Sequence, residues 1–286
     1  MFRSAVLLAA LLCVPVLAGA QAADGRLKKI KDAKSIAIAY RSDAAPFSFV
    51  DEAKKEPAGY SIELCRKVAA AIGKQIGIEG LPVNWVPVTV QNRMEAVEKG
   101  QADMECGSTT VTLSRMKNVS FSSFIFVDGT GLLVKADSPV RQLTDLSGRK
   151  VGVIPGTTNE KALNDVLGKG FIKATVVPLK NRDEGLAQIE AGQIDAFASD
   201  KVLLLALSPK AKNPKALALL TEDLSYEPYA ITLPRNDDSF RLAVNAALAE
   251  IYRSGAITEI FNRWFGSMGK PGLMIQAAYV LGAIPE

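Results

Sequence analysis

The 286-residue sequence contains no histidine. Without imidazole there is no Ser-His-Asp or Cys-His catalysis, and no His-ligated zinc or haem. Cysteine is scarce, at three residues, and their spacing offers no zinc knuckle. Charge of one sign is also lacking. A net +4, from 34 Lys and Arg against 30 Asp and Glu, is too mild to argue for nucleic acid or an anionic membrane. There is no G-x-S-x-G, no P-loop and no G-x-G-x-x-G. Ser114-Arg-Met-Lys117 matches the S-x-x-K pattern of serine acyltransferases, but no K-T-G follows it. What is present is a globular balance of 48% apolar and 22% charged residues, in a chain long enough for one large or two ordinary domains.

Residues 1–22 read as a secretory signal. Arg3 supplies the basic start, Ala5 to Val16 is an apolar run too short to span a bilayer, and Ala18-Gly-Ala-Gln-Ala22 places the cut after Ala22. Cys13 does not make a lipoprotein, because Leu12 stands where a small residue is expected. The mature protein is expected to be exported and soluble. Cys65 and Cys106 then remain as an even pair in an oxidising compartment. Cys65 shares a helical face with Ile62, Val68, Ala69 and Ile72, and Cys106 ends the short strand Ala102 to Cys106. A helix packed on its own sheet brings such positions together, which predicts a disulfide.

Short apolar runs alternate with helical patterns. Strands are expected at Ser35 to Tyr40, Val83 to Val88, Ala102 to Cys106, Gly131 to Lys135, Lys150 to Ile154, Thr175 to Leu179, Ala196 to Ser199 and Tyr229 to Leu233. Helices are expected at Ser61 to Ile72, Asn92 to Lys99, Asn159 to Leu167, Asp183 to Ala191 and Asp238 to Arg253. This alternation argues for an α/β fold with mainly parallel sheets. An internal echo adds to it: Arg93-Met-Glu-Ala-Val-Glu-Lys-Gly-Gln-Ala-Asp103 resembles Gly185-Leu-Ala-Gln-Ile-Glu-Ala-Gly-Gln-Ile-Asp195. In both, a helix ends at a glycine suited to a left-handed cap, and Gln-x-Asp leads into a strand. With the length, the echo favours two similar α/β lobes. The expected crossovers fall near Lys135-Ala136 and Glu227-Pro228.

Gln91-Asn-Arg-Met94, Glu105-Cys-Gly-Ser-Thr-Thr110, Phe124 to Lys135, Gly156-Thr-Thr158, Gly59-Tyr-Ser61 and Arg263-Trp-Phe265 carry a resemblance. From about Ile36 to Phe265 the chain resembles the family 3 extracytoplasmic solute-binding proteins, and within them the periplasmic glutamate/aspartate-binding proteins of ABC importers. The resemblance implies a type II two-lobe periplasmic-binding-protein fold: 23–135 as the first part of lobe one, 136–227 as lobe two, and 228–286 as the return and C-terminal tail. It implies an acidic amino acid as ligand, an ABC permease of the inner membrane as partner, a periplasmic location, a monomer, and no cofactor, metal or nucleic acid. The sequence assigns no role to the tail from Gly269 on, for which bracing lobe one is one use.

The residues fit such a ligand. A planar guanidinium offers paired donors to a carboxylate. Ser108, Thr110 and Arg115 follow a strand end, and the resemblance implies that they hold the α-carboxylate. Thr158, where Gly156-Thr-Thr-Asn159 opens a helix, would join it from the other lobe. Asp200 would accept the α-ammonium. Arg41, Arg93 and Arg182 match the positions implied for the distal carboxylate. Arg182 stands where some relatives carry histidine. Val90 stands where a serine can occur, with Thr89 as the possible substitute. Four arginines against one aspartate give a local +3, which suits a dicarboxylate. Two other readings compete: an exported dehydratase-like enzyme of the same fold, with Glu63 or Glu105 as its acid or base, and a ligand-sensing accessory protein using the same grip.

Overall fold

The computed structural model describes residues 24–285, so the signal expected at 1–22 lies outside the described residues. After helix α1 (Gly25–Ala33), strand β1 (Ile36–Arg41) runs into a small antiparallel sheet of β2 (Asp43–Ala44), β3 (Ser48–Asp51) and β4 (Glu56–Ala58). Helix α2 (Tyr60–Ile76), β5 (Val83–Val88), α3 (Arg93–Glu98) and β6 (Met104–Glu105) follow. The long strand β7 (Val119–Lys135) leads to β8 (Lys150–Val153), α4 (Thr158–Lys169), β9 (Thr175–Pro178), α5 (Arg182–Glu190), β10 (Ala196–Asp200) and α6 (Lys201–Leu205). The chain finishes with β11 (Leu217–Leu219), β12 (Ser225–Pro234), α7 (Asp238–Arg253), α8 (Ala256–Phe265) and α9 (Leu273–Gly282).

The main sheet has the order β5-β1-β6-β12-β7-β10-β8-β9, with β11 also paired to β7. Parallel pairing joins β5, β1 and β6 at one end and β10, β8 and β9 at the other. The fold is therefore α/β with a mixed, mostly parallel sheet. Between the two parallel sets β7 and β12 run antiparallel, and each belongs to both halves. Up to Gly129, β7 pairs with β12 alone, whereas Thr130 to Val134 pair with β10.

Both long strands extend beyond their apolar runs because the polar residues inside them find partners. Ser122 Oγ accepts the Ile231 N–H at 3.0 Å, and Asp128 Oδ2 accepts the Val202 N–H at 3.1 Å. Alternation breaks at these points, so an apolar pattern alone shows only the strand ends.

The predicted face of α2 is buried as expected, with Ile62, Cys65, Val68, Ala69 and Ile72 all in the core of the first half. Beside it Phe47, Tyr60, Phe126 and Phe265 form a cluster of close ring contacts. Cys65 and Cys106 form the expected disulfide, with their Cα atoms 6.4 Å apart. In the second half, β7, β8 and β10 are covered on one face by Leu163 and Leu167 of α4 and on the other by Leu186 and Ile189 of α5. The tail helix α9 packs on the first half, where the Tyr279 hydroxyl lies 2.8 Å from that of Tyr60 and its ring stacks on Tyr252.

The sequence echo has a structural counterpart. Gly100 and Gly192 close their helices at φ of +71° and +69°, a region that favours glycine. Asp103 Oδ2 then accepts the Ala37 N–H at 2.7 Å, and Asp195 Oδ2 accepts the Lys150 N–H at 2.8 Å. Each aspartate thus fastens its helix–strand connection to the neighbouring parallel strand of its own half.

Candidate functional site

All six parallel strands deliver polar groups to the gap between the halves, at their C-terminal ends. β1 ends in Arg41 and β10 in Asp200, while Arg93 and Arg182 open the helices after β5 and β9. Ser108 and Thr110 follow β6, and Thr157, Thr158 and Asn159 follow β8 at the start of α4. The free backbone N–H groups of helix starts, and the ends of parallel strands, make this the natural place for an anion.

Seven of the eight residues singled out from the sequence line one nearly closed cleft with a free volume of about 10 Å³: Arg41, Arg93, Ser108, Thr110, Thr158, Arg182 and Asp200. Val90, Thr157 and Asn159 complete its wall. Arg115 does not line it; its Nη1 donates to the Thr110 carbonyl at 2.8 Å. Thr89 does not stand in for the serine absent at Val90, because its hydroxyl donates to Asn92 Oδ1 at 3.2 Å. A larger surface cavity bordered by Lys135, Glu190 and Lys212 gathers no buried charged group.

The guanidiniums are deeply placed: Arg41 is 2% exposed, and Arg93 and Arg182 are 4% exposed. Arg41 Nη2 lies 2.5 Å from Asp43 Oδ1. Arg182 reaches three ways, with Nη2 3.6 Å from Asp200 Oδ2, Nη1 3.7 Å from Asp43 Oδ2, and Nε donating to Ser199 Oγ at 3.3 Å. Arg93 has one long bond, from Nη1 to the Ser108 carbonyl at 3.4 Å. The Nε groups of both Arg41 and Arg93 are buried without a hydrogen-bond partner. Leaving such donors unmade is costly, and at a ligand site it marks where an acceptor belongs. Burial, and then the neighbouring Arg93, pull the Arg41 guanidinium down to about 10, with Asp43 opposing the shift. Burial likewise lowers Arg93 to about 10, against the attraction of Glu105. Burial also lowers Arg115, against Glu227 and Glu105. At neutral pH Arg41 and Arg93 remain cations.

Of three carboxylates near the cleft, Asp43 and Glu227 escape sequence reasoning, and Glu105 was named only as a candidate acid or base. Asp43 bridges Arg41 and Arg182. Glu105 is fully buried beneath the strand end, where its Oε2 accepts the hydroxyls of Thr109 at 2.7 Å and Thr232 at 2.9 Å. Glu227, 1% exposed on β12, has Oε2 accepting the hydroxyls of Thr110 and Thr158, each at 2.6 Å. Its Oε1 lies 2.5 Å from Ser225 Oγ and 3.2 Å from Thr130 Oγ1. Asn159 Nδ2 links this network to the aspartate, donating to Thr130 Oγ1 at 2.7 Å and to Asp200 Oδ1 at 3.3 Å. Four guanidiniums therefore meet four carboxylates, and the local +3 counted along the sequence is cancelled. An acid inside the apolar run around Tyr229 was the one available signal for Glu227. Asp43 carried none. The other candidate acid, Glu63, lies outside the cleft, paired with Arg263 and accepting the Trp264 indole N–H at 2.8 Å.

Residues 36–267 match the model of the bacterial extracellular solute-binding proteins, family 3. An L-glutamate/L-aspartate-binding protein of Pseudomonas aeruginosa is 34% identical over 262 residues, covering 92% of this chain and 86% of the relative. Among solved structures, a mutant of ArgBP from T. maritima superposes with a TM-score of 0.73 at 26% identity, covering 85% of this chain and 100% of that one. An ancestral amino acid-binding protein, a precursor of cyclohexadienyl dehydratase, superposes with a TM-score of 0.72 at 26% identity, covering 84% and 100%.

Proposed function

The chain belongs to the bacterial extracellular solute-binding proteins of family 3, and from that premise we propose that it is the amino-acid-binding component of an ABC importer, selective for acidic amino acids. It works outside the inner membrane and delivers its ligand to a permease there. The observation that carries the acidic preference is the pair of buried Nε donors on Arg41 and Arg93, in a cleft whose other wall holds Asp200. A ligand carboxylate completes both arginines, and an ammonium completes the carboxylate opposite.

The α-carboxylate is held by Ser108 with the backbone N–H groups at the start of α4, and Arg115, behind the cleft wall, supports it through its bond to the Thr110 carbonyl and its charge. The hydroxyl protons of Thr110 and Thr158 are committed to Glu227, so these two threonines offer their oxygen lone pairs and their N–H groups. Their hydroxyls therefore suit the α-ammonium, beside Asp200. Arg41, Arg93 and Arg182 take the distal carboxylate. Lobe one comprises the β5-β1-β6 set with α2 and α7 to α9, and lobe two the β10-β8-β9 set. The chain changes lobe within β7 near Gly129 and within β12 near Glu227. Because the grip uses both lobes, ligand favours the closed form over the open one.

The solved relative that is a precursor of a dehydratase keeps an enzymatic reading in view. Such a reaction needs a carboxyl acid or base free to meet substrate. Glu63 is tied up on the surface, Glu227 is engaged by hydroxyls, and Glu105, though its Oε1 has no partner, does not line the cleft, so binding is the reading the cleft supports best. Titration calorimetry with L-glutamate, L-aspartate, L-glutamine and L-histidine is the test. Binding of at least one of the two acids, well ahead of the others, is expected. Glutamine binding as tightly as glutamate would refute the acidic preference.

A further inference from the structure

Asp43 is a carboxylate beside the cleft, bonded to two of its arginines, that the proposed grip leaves without a use. It lies on β2, two residues beyond Arg41, with its side chain 28% exposed. One oxygen is 2.5 Å from Arg41 Nη2 and the other is 3.7 Å from Arg182 Nη1. Arg182 Nη1 also donates to the Asp43 carbonyl at 3.4 Å. A fixed carboxylate of the first half therefore already spans the two guanidiniums, one from each half, that are assigned to the ligand's distal group. We propose that Asp43 is a built-in competitor for that distal carboxylate, and that it sets how strongly the protein prefers an acidic side chain over its neutral amide. The inference rests on the acidic-ligand reading above.

The chemistry runs in two directions. A second carboxylate arriving at Arg41 and Arg182 meets a like charge at van der Waals range, and a carboxylate can only accept hydrogen bonds. It is left with Arg93 and with Arg41 Nε, the donors that have free valence. A side-chain amide feels no such repulsion, and its NH2 can donate to Asp43 itself. Asp43 thus weakens glutamate and strengthens glutamine, and specificity is the difference between the two. In keeping with this place between two cations, Arg41 and Arg182 hold the Asp43 carboxyl below its usual range, although burial pushes it upward.

Asp43→Asn removes the charge at constant shape, and Asp43→Ser removes it by a second route. Neither touches the β2–β3 pairing of Asp43 with Phe49, which is made by backbone. Calorimetric titration of purified wild-type and variant proteins with L-glutamate and L-glutamine gives the ratio of their affinities. In both variants that ratio should move toward glutamate by about tenfold. With wild type binding glutamate, a ratio that is unchanged or moves toward glutamine overturns the competitor role and leaves the acidic-ligand reading standing. Wild-type protein that binds neither glutamate nor aspartate refutes that reading, and the role of Asp43 falls with it.

Discussion

Replacing Arg93 with methionine should make the unliganded protein more stable and its ligand binding worse. Arg93 is 4% exposed, its Nε has no partner, and its one hydrogen bond is 3.4 Å long. Its pKa stands lowered to about 10, chiefly through burial. At about 1.4 kcal/mol per pKa unit, holding this side chain charged costs the folded state on the order of 3 kcal/mol. The sign follows from the direction of the shift. The folded pKa lies below the unfolded one, so the cost is fully present below pH 10 and disappears only as the pH climbs through and beyond that value. Methionine keeps an unbranched apolar stem without the charge. At roughly 2–4 °C per kcal/mol for a chain of this size, the melting temperature of Arg93→Met at pH 7 should rise by about 5 °C or more. Binding should move the other way. A carboxylate about 4 Å from a guanidinium gains roughly 4 kcal/mol at an effective dielectric of 20, so glutamate affinity should fall by about 100-fold or more. L-glutamine should lose about threefold, since only dipolar contacts are removed. Thermal unfolding followed by circular dichroism reads the first effect, and calorimetry reads the second. A lower melting temperature, with equal losses for both ligands, would show that Arg93 braces the fold and would refute the reasoning.

Asp128 accepts the N–H groups of Gly129 at 2.8 Å and Val202 at 3.1 Å, and burial followed by the neighbouring Asp200 raises its pKa to about 7. A carboxyl whose folded pKa exceeds its unfolded one is favourable while protonated and becomes a cost as the pH rises from about 4 through 7. Asp128→Asn should therefore raise the melting temperature at pH 8 and change it little at pH 4.5; equal shifts at both pH values would contradict this. The Cys65–Cys106 bridge closes a separation of 41 residues, for which restricting the unfolded chain is worth about 4 kcal/mol. The double variant Cys65→Ala with Cys106→Ala should melt roughly 10 °C lower. A melting temperature equal to that of the oxidised wild type would deny the bridge this role.

Much of the fold was legible because it rests on local signals. The period-3.6 face of α2 appeared as Ile62, Cys65, Val68, Ala69 and Ile72, all of them buried. β5 and α7 occupy the same bounds that their patterns predicted, Val83–Val88 and Asp238–Arg253. The small sheet β2-β3-β4 was not visible, since strands of two to four residues carry no periodicity. Helix α8 also went unpredicted, although Ile257, Ile260, Phe261 and Phe265 recur at helical spacing. The long strands β7 and β12 were seen only in part, as their serines, aspartate and glutamate interrupt the apolar alternation and are satisfied by distant partners.

By itself the sequence determined the chemical inventory around the cleft: no imidazole, four arginines at turn and strand-end positions, Asp200 at a strand end, and a cysteine pair beyond a signal-like N-terminal segment. It also determined the doubled helix–glycine–strand unit, because left-handed caps and amphipathic spacing are local properties. Only the tertiary structure decided the charge balance of the site. Electrostatic energy depends on distance through space and on burial, and neither is readable along the chain. Asp43 is near Arg41 in sequence but also meets Arg182, and Glu227 joins Thr110 to Thr158 from a strand far from both. Folding thus turned an apparent surplus of positive charge into a balanced site whose unpartnered donors, on Arg41 and Arg93, are few and buried.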